Sequence, residues 1–396
     1  MRRTFHRLPV LVLACALFVV TASEFQVAAM LTDISTDLQA PVADLGLLVT
    51  LYSLGMGFGG PAVAWALRRM RPKPALVMVM LCYAAAEAIA GAVTQPVLLG
   101  VLRCVTGALS GATFGLALSA GMALSRAHNR TQVSALILTG LMAGTLLGLP
   151  LSHLLATGAG WRSSFYLLAA AAAAMAVAVT LTLPSSPGGS EDAPRAVGSL
   201  RSPSLWARYL SSFLTIGGAF TAFAFIDPLL QAAKLAAAHV TLTMLGFGAA
   251  AFAVNYLTGR VAQGKARPWL GLGLTVQLAA LLIFLAAPQS PLLVVPATML
   301  LGGTGIALNP LLVNRVITVA KPDVMVNTLH TSAITLGVAA ATAIGSRAIH
   351  ASDGDLAGTL IAGVAFTIAA GVLVATSRDS HRSRASLGGA VEEPTR

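Results

Sequence analysis

Residues 46–94 read GLLVTLYSLGMGFGGPAVAWALRRMRPKPALVMVMLCYAAAEAIAGAVT. Two apolar runs flank the loop ALRRMRPKP (66–74), which carries Arg68, Arg69, Arg71 and Lys73 and ends on proline. A bilayer core about 30 Å thick takes roughly 20 residues of helix to cross, and each run is long enough. Both runs are continuously apolar, without the alternation of a barrel strand, so they read as membrane helices.

The same pattern covers the whole chain of 396 residues, of which 56% are hydrophobic and 10% charged. A soluble domain carries about 25% charged residues, so this chain cannot clothe a surface in water. Twelve apolar runs are expected as spans. Six lie in the first half, at 9–31, 42–66, 75–94, 97–124, 132–157 and 163–183. Six lie in the second, at 208–233, 240–259, 269–287, 292–314, 326–349 and 356–376. With the N-terminus in the cytoplasm, 21 of the 25 Lys and Arg fall inside, 3 (Arg162, Lys234, Arg347) fall outside, and Arg103 lies within a span. That is the positive-inside bias of a multi-pass inner-membrane protein with both termini cytoplasmic. The net charge of +11 is therefore a topology signal, and no nucleic-acid partner is expected. Residues 1–22 have the look of a signal peptide, but cleavage there would leave an odd number of spans against the charge pattern. Cys15, Cys82 and Cys104 sit in apolar runs and offer neither a disulfide framework nor a metal cluster.

The only long polar stretch inside the chain is PSSPGGSEDAPRAVGSLRSPSLWA (184–207), rich in Pro, Gly and Ser. It divides an N-terminal six-helix bundle (1–183) from a C-terminal one (208–376), with a tail at 377–396. The halves echo each other. The loop at 66–74 has a counterpart in GRVAQGKARP (259–268), about 194 residues on, short, basic and closed by proline. Parallel six-helix repeats are the build of many secondary transporters, with substrate held near midplane between the halves. No ATP-binding G-x-x-x-x-G-K-S/T loop occurs, nor the H-E-x-x-H or G-x-S-x-G of an enzyme. A gradient-driven carrier is expected, with no cofactor and no catalytic residues. A non-transporting receptor is the remaining class.

Three stretches carry a family resemblance: SEFQVAAMLTDISTDLQ (23–39) running into 46–74; GLMAGTLLGLPLSHLLATGAGWRSSF (140–165); and GGAFTAFAFIDPLL (217–230) with NTLHTSAITLG (327–337). Together they resemble the twelve-span drug:proton antiporter branch of the major facilitator superfamily, in particular the arabinose-efflux-like and chloramphenicol-resistance-like exporters. The resemblance implies the major facilitator fold, an all-α membrane protein acting as a monomer in the bilayer, and export of a drug or metabolite against protons. It implies a gating role for the loop after the second span, although Arg68 stands where the family has an acid and Arg71 where it has glycine. It ties Gly140, Gly144, Gly148 and Pro150 of the fifth span to export. Small residues every four positions let helices approach closely, so plain packing is an equal reading of those glycines.

Four ionisable residues fall well inside spans: Glu24, Glu87, Arg103 and Asp227. Each costs about 2.5–3.5 kcal/mol at a helix centre, which marks it as functional unless a partner explains it. Counting at about 1.5 Å per residue places all four roughly 9–11 Å below the outer surface, in one layer. The resemblance turns spans one, four, seven and ten toward a central cavity, and so turns Glu24, Arg103 and Asp227 toward it. It matches Arg103 to the family's R-x-x-x-G pattern and Glu24 to its S/T-E-F signature. Glu24 is expected to carry the coupling proton beside Arg103, a static Glu24–Arg103 pair being the alternative. Asp227, ahead of Pro228, and Phe225 are expected to contact substrate together with Glu24. Glu87, on a span expected at the periphery, is assigned a helix contact or a snorkelling role. Three acids against one Arg favour cationic or neutral cargo. A sugar, nucleoside or amino-acid exporter is the second reading, with Gln26, Asn255, Gln277 and Asn309 as its polar residues.

Overall fold

The computed structural model describes residues 7–125, 129–184, 202–320 and 324–377. Among the described residues, all regular structure is helical. Eleven stretches are long and apolar enough to cross a membrane, and a twelfth follows if one bent pair is a single span. In the first half, α1 (Arg7–Gln26) packs along α7 (Arg130–Ala159), and α5 (Pro72–Ala92) packs along α8 (Arg162–Thr182). There α6 (Pro96–Leu124) holds α3 (Val42–Leu54) and α4 (Gly60–Leu67), and a short helix α2 (Leu31–Leu38) closes the α1–α3 connection. In the second half, α9 (Pro203–Phe223) packs on α14 (Val324–Ala351) and α15 (Ala357–Thr376). Most of the expected linker, residues 185–201, and the tail from 378 lie outside the described residues. Helix α9 starts at Pro203, five residues earlier than the expected 208. Proline suits the first helical position because its missing N–H would be unpaired there anyway.

Several spans are broken, each for a local reason. The bent pair is α9 with α10 (Ile226–Ala232), at 46°. The turn falls at Ala224–Phe225, and Pro228 withholds an N–H from the following turn. Between α3 and α4 lies a π turn, Gly55–Gly59. The tenth span is α12 (Pro291–Gly302), a 3-10 turn Gly305–Leu308, then α13 (Asn309–Ile317); Gly305 sits at φ +56°, a left-handed conformation that glycine adopts without a Cβ clash.

The eighth and ninth spans show helical hydrogen bonding without a break, as α11 (Ala237–Ala286, 50 residues). A straight rod is ruled out by its contacts. Thr258 Oγ1 donates to the Ala307 carbonyl at 2.9 Å, and Gln277 Oε1 accepts from the Gly305 N–H at 3.3 Å. Residues 258 and 277 would be about 28 Å apart along one axis, yet both reach the same turn. The chain therefore doubles back between them, in the segment expected as the 259–268 loop, and two antiparallel spans result.

Backbone-to-backbone packing holds the first bundle together. A Cβ on Gly140 would lie 1.8 Å from the Ala14 carbonyl oxygen, one on Gly144 2.7 Å from Thr21 Cβ, and one on Gly148 3.0 Å from Ala22 Cα. The whole glycine ladder of α7 thus faces α1. Gly140→Ala forces the two helices apart, and overpacking of this kind costs about 1–3 kcal/mol or more. Gly115 in α6 has nothing within 4 Å of its Cβ position. Thermal unfolding in detergent should show a clearly lowered midpoint for Gly140→Ala and an unchanged or raised one for Gly115→Ala; equal midpoints would mean that α1 and α7 are not in this contact.

Candidate functional site

Residues 23–26 of α1 sort by direction. At about 100° per residue, Ser23 and Gln26 lie about 60° apart on one side, and Glu24 and Phe25, about 100° apart, share the other. The Ser23–Gln26 side meets a polar cluster inside the first bundle. Ser23 Oγ donates to Glu87 Oε1 at 2.6 Å, and Gln26 Nε2 donates to Glu87 Oε2 at 3.0 Å. Arg103 comes in from α6: one of its terminal nitrogens donates to Ser23 Oγ at 3.1 Å and lies 3.8 Å from Glu87 Oε1. Its other terminal nitrogen reaches the Glu24 carbonyl at 3.5 Å, and its guanidinium stacks 4.2 Å over the Tyr52 ring. Tyr52 is anchored in turn by donating to the Val20 carbonyl. Ser164 Oγ of α8 donates to Gln26 Oε1 at 3.0 Å. Glu87, Arg103, Ser23 and Gln26 are all fully buried.

Arg103 therefore pairs with Glu87, and only the main chain of Glu24 touches it. Glu87 does not snorkel: it is the buried counter-ion, a helix contact binding α5 to α1 and α6. The Glu24 side chain is half-buried, and its carboxylate makes no hydrogen bond or ion pair among the described residues.

On the Phe25 side runs a narrow cleft between the two halves. Its lining includes Phe25, Thr145, Phe220, Phe223, Phe247 and Ala251, and Phe25 meets Phe223 edge to face at 5.1 Å. It holds about 20 Å³, room for one or two water molecules. Toward the α2 end the halves are closed against each other. Asp227 Oδ2, fully buried, accepts from the Thr32 N–H at 2.8 Å, so that an acid of the second half caps the first turn of α2. Thr50 and Thr342 hydroxyls meet at 2.7 Å, His153 Nδ1 and Thr241 Oγ1 at 2.7 Å, and His350 Nε2 and Asp44 Oδ1 at 2.6 Å. Phe225, with no exposure, stands in this seal beside Gly46 and Gly345. Asp37 bonds Arg162 and Trp161, and the Arg162 hydrogen bond holds its carboxyl below the usual range. At the other end of span two, α4 packs on α6 of its own half.

The expected site residues thus separate into groups. Glu24 and Arg103 are neighbours, joined by Glu87. Asp227 bonds Thr32, eight residues beyond Glu24 and past the end of the first span, so the single layer of four charges divides into two levels. Phe220 and Phe223 line the cleft, whereas Phe225 does not. Arg68 stacks on Trp65 at 4.1 Å and Arg71 borders a surface groove, both at the far end. Gln277 is enclosed in the second half, donating to the Thr215 carbonyl and to Thr367 Oγ1. His330 shares a 2.8 Å hydrogen bond with Ser212. Ser23, Tyr52 and His153 were not singled out by sequence. The one available signal was Ser23 and Gln26 at i, i+3 on one face of α1.

Two helical halves, spans broken within them and a cleft between the halves fit a membrane transporter. The chain belongs to the Major Facilitator Superfamily, whose family model matches residues 13–345. It is 27% identical over 371 residues to a chloramphenicol resistance protein of Streptomyces lividans, covering 91% of this chain and 94% of that one. It is 25% identical, with the same coverage, to the inner membrane transport protein YdhP of Escherichia coli K12. A probable sugar efflux transporter of Mannheimia succiniciproducens is 24% identical over 64% of each chain. In fold it resembles a bacterial homolog of the human lysosomal transporter Spinster, solved inward-facing and occupied, with a TM-score of 0.74 at 16% identity over 94% and 97% of the two chains. The nucleoside transporter NupG gives 0.69 at 12% identity over 93% and 99%. The protein is a transporter of a small substrate and not an enzyme.

Removing one partner of a buried ion pair strands the other and costs about 3–5 kcal/mol. Glu87→Ala should therefore lose much of its folded, monodisperse fraction on heating. Glu24→Gln, which breaks no side-chain bond, should unfold within a degree or two of the parent. The reverse order would assign the partnership with Arg103 to Glu24.

Proposed function

We propose that this chain is a proton-coupled exporter of small, largely apolar organic compounds, working by alternating access with Glu24 as the proton-carrying group. The observation that carries the reading is the unbonded, half-buried Glu24 carboxylate beside a charge pair that is already satisfied. Glu87 neutralises Arg103, so Glu24 is free to change charge without stranding another ion. Its place on α1, beside Phe25 on the side away from Ser23 and Gln26, lets one helix sense both protonation and cargo. The 21 Lys and Arg that charge counting assigns to the cytoplasm put the Arg68 end inside and the α2 seal outside. The conformation described is then closed to the exterior.

In the proposed cycle, cargo enters from the cytoplasm while Glu24 is ionised. The seal around Asp227 and Thr32 opens outward, a proton from outside displaces the cargo at Glu24, and the protonated carrier returns. With Glu87 and Arg103 cancelling, Glu24 supplies the charge nearest the cleft, which favours cationic or neutral cargo. The aromatic lining favours apolar cargo over the sugar or nucleoside alternative, because Gln26 and Gln277 are engaged inside their own bundles. The chloramphenicol-resistance relative makes chloramphenicol the first compound to try.

A host stripped of its own efflux pumps should gain resistance to part of a drug panel, and a protonophore should abolish the gain. In proteoliposomes, Glu24→Gln should keep substrate exchange across the membrane but lose accumulation driven by a pH gradient. Gradient-driven transport by Glu24→Gln at the parent rate would end the proton assignment.

A further inference from the structure

The groove beside Arg71 lies outside the transport path. It holds about 700 Å³ and is lined by Arg71, Lys73, Val77, Met78, Leu81 and Cys82 of the loop and α5, with Thr180 of α8 opposite. Its chemistry is divided along its length. The mouth carries two cations, and the walls below are apolar. Arg69 is exposed beside them, and among the described residues none of Arg69, Arg71 and Lys73 has an acid within ion-pair distance. The first turn of α5 contains Pro72 and Pro74, which have no amide N–H. An anion there would be held by the Arg71 and Lys73 side chains.

The length is also informative. From Lys73 to Cys82 is nine residues of helix, about 13.5 Å, close to half of a 30 Å hydrocarbon core. A groove with a cationic mouth at one membrane face and an apolar wall one leaflet deep matches a lipid with a negative headgroup. A water-soluble anion has no use for the apolar part, and a neutral lipid has none for the unpaired cations. We infer that this groove is a binding site for an anionic phospholipid, its phosphate between Arg71 and Lys73 and one acyl chain along Val77, Met78 and Leu81. On the orientation proposed above the lipid comes from the cytoplasmic leaflet, where anionic lipids attract basic segments. The lipid braces α5 against α8 beside the basic loop.

The full chain, purified and stripped of lipid in a neutral detergent, should be titrated with phosphatidylglycerol and with phosphatidylcholine under native mass spectrometry. Phosphatidylglycerol should bind at least tenfold more tightly. Arg71→Gln/Lys73→Gln should remove that preference, since each basic group near an anionic surface contributes about fivefold. Val77→Trp, which fills the groove and keeps both cations, should weaken binding of phosphatidylglycerol while the protein stays monodisperse. Bound phosphatidylglycerol should also slow maleimide labelling of Cys82. Equal binding of the two lipids, a preference that survives the double substitution, or displacement of the lipid by millimolar inorganic phosphate would each overturn the inference.

Discussion

Arg103 has no exposed surface, and it lies in a stretch of chain that crosses lipid. An unpaired guanidinium there would cost far more than a fold of marginal stability can absorb. The first half of the molecule is organised around meeting that demand. Glu87 supplies the opposing charge from α5, Ser23 and Gln26 fix it from α1, Tyr52 covers one face from α3, and Ser164 extends the chain of bonds to α8. Five helices thus share one electrostatic problem, and the glycine ladder of α7 lets α1 come close enough to solve it. Because Ser23 and Gln26 are used in this way, the register of α1 is set, and with it the direction of Glu24.

The second half meets the corresponding positions without charge. The offset of about 194 residues between the two basic loops carries Ser23 and Glu24 to Gly217 and Gly218, and Tyr83, one turn from Glu87, to Gln277. There Gln277 reaches Thr215, Thr367 and the N–H of Gly305, a neutral network. A Cβ on Gly218 would lie 2.9 Å from the Gln277 amide nitrogen, so the position that bears an acid in one repeat is closed to any side chain in the other. The repeats share a frame and differ at these positions: Glu24 in one, packing and a neutral hydrogen-bond network in the other.

Sequence made the frame legible and left the partners hidden. Hydropathy and the side-by-side count of Lys and Arg gave the spans, including the turn between residues 259 and 268 that lies within an unbroken helical hydrogen-bond pattern. The four-residue spacing of Gly140, Gly144 and Gly148 announced a close helix contact. Counting residues from a span end, however, measures depth and says nothing of rotation about the helix axis. Glu87 and Glu24 lie at similar counted depths, so depth could not say which of them turns to Arg103. Asp227 was misplaced for another reason: the bend at Ala224–Phe225 carries it to the cap of α2, and a bend of 46° is not visible to a count that assumes a straight span. The acceptor of that cap is matched to a backbone N–H, which no side-chain motif reports.

Alternating access needs two conformations of similar free energy, and the character of the seal permits that. Its named hydrogen bonds are few: Asp227 to Thr32, Thr50 to Thr342, His153 to Thr241, and His350 to Asp44. A hydrogen bond exchanged for one to water is worth about 0.5–1.5 kcal/mol net, so these bonds add only a few kcal/mol to the buried apolar cluster, drawn from both halves, that includes Phe25, Leu31, Phe223 and Phe225. A gap of a few kcal/mol between two conformations can be tipped by one added proton or one bound molecule. Within the first half, by contrast, the Glu87–Arg103 pair and the glycine contacts are expensive to disturb, so the helices of that half move as a body. On the proposed proton role of Glu24, protonation there acts through the position of α1 against the Phe223 side of the cleft.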